Sequence, residues 1–530
     1  MPTSSAATIL GGTTRPAVRL GLSALWLIVV GYLAVHHVFW RDEVRALSLA
    51  LPGGDVVAMA KAVHGEGHPL LWYLLLRAAH AVAPVREVLP AVGLIVGIAG
   101  ASFFAWRAPF RPPVMVAVLF GGWMAFEYSV MARNYGLSML LMFVIADRFA
   151  RGRDGTMATG ALLFFLVNTN VPSVILAGGL LLFRLVEIVA SDGWRWSPAL
   201  GRWLGAAGIA LVGVVLCFLT VYPPFNEAAL APGAASLSMG SIAAAALNVG
   251  GPLSSLWPDW AWTMPGAAPL LALLILAGPL SLLRAPAAAI AAIVVLPMML
   301  LFFQFVYPGS YRHQALYLCF VVALHWIVAG GRGGWRRTAS PLLHDRVPVA
   351  AGIMLIVLLY AQLGSTASVL VQVARGRVEG QSAALAQLLR RPALRHAIVL
   401  GVSEVVVEPL PYYIDNPTYL LRQRRFGAVS HFTRHADLHL TLAGILRTAR
   451  QLQATTDRQV VILMQYRIGR NDGPQTWDER ILGDTTAGPG DAAAFRDATR
   501  LIQTPVELIR YGSFDENYWV YLLKPAVTGS

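Results

Sequence analysis

Residues 20–45 read LGLSALWLIVVGYLAVHHVFWRDEVR. From Leu20 to Trp40 there is no Asp, Glu, Lys or Arg, and a helix needs roughly 20 apolar residues to cross a bilayer. The run is too long for the apolar core of a cleavable leader, and no small-residue cleavage site follows it, so it reads as a retained first spanning helix. Working outward, runs of similar character predict further spans at 88–106, 114–130, 135–147, 157–169, 171–190, 203–221, 267–283, 286–305, 314–330 and 347–370. With 20–39 that makes about 11 transmembrane helices. Composition agrees: 530 residues with 56% hydrophobic and only 13% charged side chains describe an α-helical polytopic membrane protein, not a set of soluble domains.

The character changes near residue 372. Residues 373–530 hold 19 of the 41 Lys and Arg and 15 of the 28 Asp and Glu. The division predicts a membrane domain over 1–372 and a C-terminal soluble α/β domain over 373–530, with strands near 396–402, 459–464 and 518–523 and a helix near 438–453. The net charge of +13 does not point to nucleic acid, because the basic residues alternate with apolar spans instead of clustering on one folded surface. They follow a topology bias. Arg15, Arg19, Arg107, Arg111, Arg148, Arg151, Arg184 and Arg332 fall on one side, whereas loop 222–266 on the other has no Lys or Arg. The bias places the N-terminus in the cytoplasm, and an odd number of spans then puts 373–530 outside, in the periplasm if the cell has two membranes. Cys217 and Cys319 lie in apolar spans and form no disulfide framework. Trp257, Trp260 and Trp262 read as interfacial anchors.

Residues 40–87 form a long external loop. Its apolar segment 69–82 is short and carries Arg77 and His80, which suits a helix lying on the membrane. The loop opens on Trp40-Arg41-Asp42-Glu43-Val44-Arg45. A carboxylate at a membrane surface is a candidate general base, since low dielectric raises its proton affinity; alternatively, Asp42 and Glu43 cap a helix, with Arg41 and Arg45 as ion-pair partners. Further on, His64-Gly65-Glu66-Gly67-His68-Pro69 places His68 at a helix start, where an imidazole can meet a phosphate. Asp42, His64, Glu66 and His68 also offer nitrogen and oxygen ligands to a divalent metal ion. Two more external turns hold ionisable groups at membrane depth, Glu127 to Tyr135 and Tyr307 to Gln314, and such groups are functional candidates.

The Asp-Glu pair after the first helix, the stretch Gly67-His68-Pro69-Leu70-Leu71-Trp72-Tyr73, the turn Ala132-Arg133-Asn134-Tyr135 and the turn Tyr311-Arg312-His313 together resemble the GT-C glycosyltransferases. The resemblance is to the family 39-like branch, which includes protein O-mannosyltransferases and the lipid A aminoarabinose transferase. It covers the membrane domain and is strongest over 40–148. It implies transfer of a sugar from a polyprenyl-phosphate carrier to a lipid or glycan acceptor of the cell envelope on the outer face, usually with inversion. Asp42 matches the first-loop catalytic base and Glu43 its acidic neighbour. His68, Arg133 and Arg312, with Tyr135, His313, Arg45 and His64 around them, are then expected to bind the donor phosphate or substrate. The chain lacks the Pro-Pro-Leu-Ala-Lys stretch and the large lumenal insert of the mannosyltransferases, which argues against a protein acceptor. A carrier of lipid-linked sugars and a surface-polysaccharide polymerase or ligase are the competing readings.

Overall fold

The computed structural model describes residues 9–222, 238–258, 262–333, 346–431, 435–479, 483–510 and 516–525. It is an α-helical polytopic membrane fold followed by an α/β domain. Among the described residues seven helices are long and apolar enough to cross a membrane: Pro16–His36, Val88–Arg107, Pro172–Asp192, Pro198–Val221, Pro286–Phe305, Tyr311–Ala329 and Val347–Ala374. They coincide with seven of the eleven predicted spans. Three other spans are shorter helices, Tyr135–Ala150, Thr156–Val167 and Ala267–Leu280. The predicted span 114–130 is not one helix at all. It breaks after Pro112–Leu119, resumes as a wide turn over Trp123–Glu127, and is buried nearly throughout. Gly121 and Gly122 stand at the break, where glycine weakens a helix interior. The final helix runs to Ala374, slightly past the boundary expected at residue 372.

Helix Tyr311–Ala329 is the axis of the bundle, with every residue from Tyr311 to Val328 buried. Charges gather at the two ends of the bundle. At one end Arg19 donates to the carbonyls of Ala105 and Ala108, Arg107 pairs with Asp147, and Arg332 pairs with Glu187, which unites the Arg-rich loops that the charge bias placed together. At the other end lie residues 37–87. They fold as three helices, Arg41–Ala50, Val56–Val63 and Leu71–Val82, packed on a small core that includes Val44, Leu47, Met59, Trp72 and Leu76. Arg77 donates to the carbonyls of Ala50, Pro52 and Gly53, so the charge that argued against a span closes the turn after the first of these helices. Trp262 is exposed, whereas Trp257 is buried and is not an interfacial anchor; Trp260 lies outside the described residues.

The C-terminal domain contains strands β1 (Ile398–Gly401), β2 (Thr418–Leu420), β3 (Arg425–Phe426), β4 (His439–Thr441), β5 (Val460–Met464), β6 (Gln475–Asp478), β7 (Asp484–Ala487), β8 (Thr499–Gln503) and β9 (Trp519–Leu523). The main sheet has the order β3-β2-β1-β5-β9-β8, with β1 parallel to both β2 and β5. Alternation sorts its residues into two cores. Val399, Val461 and Leu463 pack on one face with Leu385 and Leu389, and Leu400, Val460 and Ile462 on the other with Ile445 and Leu452 of helix Leu442–Thr456.

One helical contact sets the position of the turn at residues 129–132. Gly93 and Gly97 lie a helical turn apart on Val88–Arg107, where an added Cβ would meet Ala132 Cα at 2.9 Å and Ser129 Cα at 2.6 Å. Small residues at this spacing let a helix and the turn 129–132 approach backbone to backbone. Gly97→Ala should therefore cost about 1–3 kcal/mol through overpacking, read as a lower thermal midpoint in detergent micelles. Gly31→Ala, whose Cβ meets nothing within 4 Å, should show no such loss.

Candidate functional site

The site is assembled where the first helix ends. Helix Pro16–His36 stops before His37, the chain extends through Trp40, and a new helix starts at Arg41. Asp42 and Glu43 occupy its first turn, and neighbours on a helix point about 100° apart. One therefore faces the protein and the other faces out.

Glu43 is the inward one. It has no exposure and accepts hydrogen bonds from the backbone N–H of Trp40 at 2.9 Å and of Ala132 at 2.7 Å. His37 Nε2 lies 3.0 Å from its Oε2. Glu43 thus corrects the expectation of a second catalytic carboxylate: it caps the helix and ties it to the second external turn, the alternative the sequence also allowed. The other nitrogen of His37 meets Glu379 of the C-terminal region at 2.9 Å. Burial alone would keep this imidazole neutral, but Glu43 and Glu379 on its two sides raise its pKa to about 10.

Asp42 is the outward one. Its side chain remains about one-third exposed (32%), and its Oδ2 lies 3.2 Å from Arg133 Nη1. Arg41 approaches the other oxygen at 3.8 Å. Burial pushes its pKa up, as expected from the sequence, yet Arg133, Arg41 and Arg312 outweigh that and hold it down at about 2. Asp42 is ionised and a weaker base than a low-dielectric site alone would make it.

Arg133 also reaches His68, with Nη2 2.9 Å from Nε2. Burial and the neighbouring Arg133 push the His68 pKa down to about 3, so the ring is neutral. Arg133 donates to Nε2, which leaves the proton on Nδ1; that atom is buried and has no partner among the described residues. His68 accordingly offers a neutral N–H donor, not the cation that a phosphate contact first suggests.

Arg312 stands at the start of the axial helix. Its guanidinium lies 4.5 Å over the Trp40 ring and 3.2 Å from Glu127, which supplies the compensating charge such a buried cation needs. The Tyr128 hydroxyl donates to the Arg312 carbonyl at 2.7 Å. His313 Nδ1 accepts from the Ser310 N–H at 2.9 Å, and its Nε2 lies 2.6 Å from the Tyr135 hydroxyl. The three segments around Asp42, Arg133 and Arg312 thus converge at one end of the bundle, with Tyr307 beside them.

Two expected residues point elsewhere. Arg45 is bound by Glu66 and Glu408 and donates to the Ser430 carbonyl, so it fastens the C-terminal domain instead of facing Asp42. His64 is exposed at the end of helix Val56–Val63. The proposed metal set is also separated in use: Glu66 is taken by Arg45 and His68 by Arg133. Among the described residues no group of three or more His, Cys, Asp or Glu could hold a metal ion. His37, Trp40, Glu379 and Glu516 were not singled out from the sequence. Only the His36-His37 pair beside the Asp-Glu pair gave any local signal.

No family model matches the chain, and no curated protein does. Among solved structures it is similar over 98% of its length to the whole of ArnT from Cupriavidus metallidurans, solved with undecaprenyl phosphate bound, at 12% identity and a TM-score of 0.47. It is also similar over 97% of its length to the mycobacterial arabinofuranosyltransferase AftD, at 12% identity and a TM-score of 0.34. In that comparison the chain spans 40% of AftD.

The raised pKa of His37 has a signed consequence. The folded state holds this proton more tightly than the unfolded chain, so its contribution is complete below about pH 6.5 and is lost as pH rises towards about 10. The difference in thermal midpoint between the unaltered protein and His37→Gln should be largest in acid and vanish near pH 10; a difference that grows with pH would contradict the assignment.

Proposed function

We propose that the chain is an integral-membrane glycosyltransferase that moves a sugar from a polyprenyl-phosphate carrier to a lipid or glycan acceptor of the cell envelope. The observation that carries this reading is the Asp42 carboxylate held against Arg133, with Arg41, Arg312 and the free N–H of His68 around it. One ionised carboxylate beside several phosphate-binding groups suits a reaction in which an acceptor loses a proton while a phosphate leaves.

The acceptor O–H gives its proton to Asp42 as its oxygen bonds to the anomeric carbon. The bond from that carbon to the phosphate oxygen breaks, and the electron pair departs with polyprenyl phosphate. Arg133, Arg312 and the His68 N–H meet the charge that develops on the phosphate. A single carboxylate base and one displacement give inversion at the anomeric carbon. The low proton affinity of Asp42 also acquires a use. The same arginines that hold it near 2 are those the donor phosphate would engage, so an anion bound there offsets their charge and lets the carboxylate take a proton. Placed by the charge bias of the loops, the site belongs on the periplasmic face of a bacterial inner membrane, with the C-terminal domain beside it.

Asp42→Asn in proteoliposomes should abolish sugar transfer while leaving undecaprenyl phosphate binding intact; full transfer in that variant would remove Asp42 from the reaction. Arg133→Met should weaken undecaprenyl phosphate binding by about tenfold or more, the scale of one charge-assisted hydrogen bond, and unchanged affinity would place the phosphate elsewhere.

A further inference from the structure

The segment that carries Asp42 is held from two directions. The bundle holds it through Ala132 and Glu43. The C-terminal domain holds it through carboxylates: Glu379 accepts from the Val38 N–H at 3.1 Å and meets His37 at 2.9 Å, and Glu516 accepts from the Arg41 N–H at 2.6 Å. The two carboxylates come from segments bonded to one another, since the Gln381 N–H donates to the Glu516 carbonyl and the Gln381 side chain accepts from the Tyr518 N–H. The Tyr413 hydroxyl of the same domain also holds the segment, accepting from the Phe39 N–H at 2.8 Å. The four consecutive N–H groups from Val38 to Arg41 lie on the approach to helix Arg41–Ala50 and at its first residue, where no intrahelical partner is available. Here those of Val38, Phe39 and Arg41 end on the C-terminal domain and that of Trp40 ends on Glu43.

We propose that the C-terminal domain is part of the positioning machinery of the Asp42 base, with Glu379 and Glu516 as positioning residues that act through His37 and the backbone of residues 38–41. The inference rests on the transferase reading for the role of Asp42, but the clamp itself does not. Its logic is a division of labour. The phosphate-binding candidates Arg133 and Arg312 belong to the bundle, whereas the base belongs to a segment whose N–H groups are satisfied by the soluble domain. Loosening the clamp therefore displaces the base and spares the cations.

The test uses the full chain in lipid nanodiscs, with Glu379→Gln and Glu516→Gln made singly and together. Amide exchange should quicken about tenfold over residues 37–50, with helix 311–329 and strand 460–464 unchanged as the measure of intact folding. Affinity for undecaprenyl phosphate should stay within about twofold. Per-site transfer from polyprenyl-linked sugars extracted from host membranes should fall by about 10- to 100-fold, as a misplaced reacting group requires. If the double variant fails to fold, Glu516→Gln alone, which alters the contact to the Arg41 N–H, carries the test. Unchanged exchange over 37–50 in both single variants overturns the clamp. Faster exchange with undiminished transfer overturns its positioning role. If the unaltered protein transfers nothing, the transferase reading fails, while the exchange result still decides whether the clamp exists.

Discussion

A carboxylate with no access to water has to find its partners inside the protein, and Glu43 imposes that requirement on everything around it. Its two oxygens collect the N–H groups of Trp40 and Ala132 and the imidazole of His37. Each partner comes from a different part of the chain: the helix entry, the second external turn, and the end of the first membrane helix. Removing any one of them would leave a buried charge or donor unmatched, which costs far more than the bond itself contributes when made. The direction of Asp42 is a consequence of this. With Glu43 committed inward, the residue before it on the helix must face the opening, and there it meets Arg133, whose position follows from Ala132.

The same logic explains why the second turn can lie so close. Gly93 and Gly97 remove the side chains that would otherwise hold helix Val88–Arg107 away from Ala132 and Ser129. Backbone proximity brings the Ala132 N–H within reach of Glu43, and Arg133 follows one residue later. On the far side, the axial helix presents Arg312 against Trp40 and Glu127. Arg312 is thus fixed by packing and by the buried countercharge of Glu127, whereas Arg133 is placed by the close-packed turn and takes Asp42 itself as its ion-pair partner.

Much of this was legible in the sequence because period and charge are local properties. Uncharged runs mark the long helices, the shift in charge density marks the C-terminal domain, and short apolar runs mark β1, β5 and β9. The convergence of Asp42, His68, Arg133 and Arg312 was also within reach, since topology assigned their turns to one side. What escaped is nonlocal. Nothing near residue 379 or 516 indicates that those carboxylates end on the backbone of residues 37–41. The run 114–130 is apolar enough to imitate a spanning helix, because hydropathy does not distinguish burial against lipid from burial against protein; only Gly121 and Gly122 hinted at the break. Arg45 and Glu43 resembled active-site residues for a related reason. A buried structural ion pair and a catalytic one use the same residue types, and only the partners tell them apart.

The low proton affinity of Asp42 and its exposed position become intelligible together. A carboxylate inside the bundle could be tuned only by permanent neighbours, and its protonation would be indifferent to what was bound. Asp42 instead stands at the opening, where burial raises its proton affinity and Arg133, the nearest cation, lowers it. While Arg133 is unengaged, the carboxylate is ionised and poorly basic. An anion beside Arg133 weakens that hold, and the charge gained by a departing phosphate weakens it further as the proton arrives. In the proposed transfer, base strength would rise along the reaction coordinate, and an acceptor entering without a donor would meet a carboxylate with little affinity for its proton. Such coupling demands that the distance between the two groups stay fixed while their charges change, and that is what the separate anchoring of Asp42 and Arg133, joined through Glu43, is built to provide.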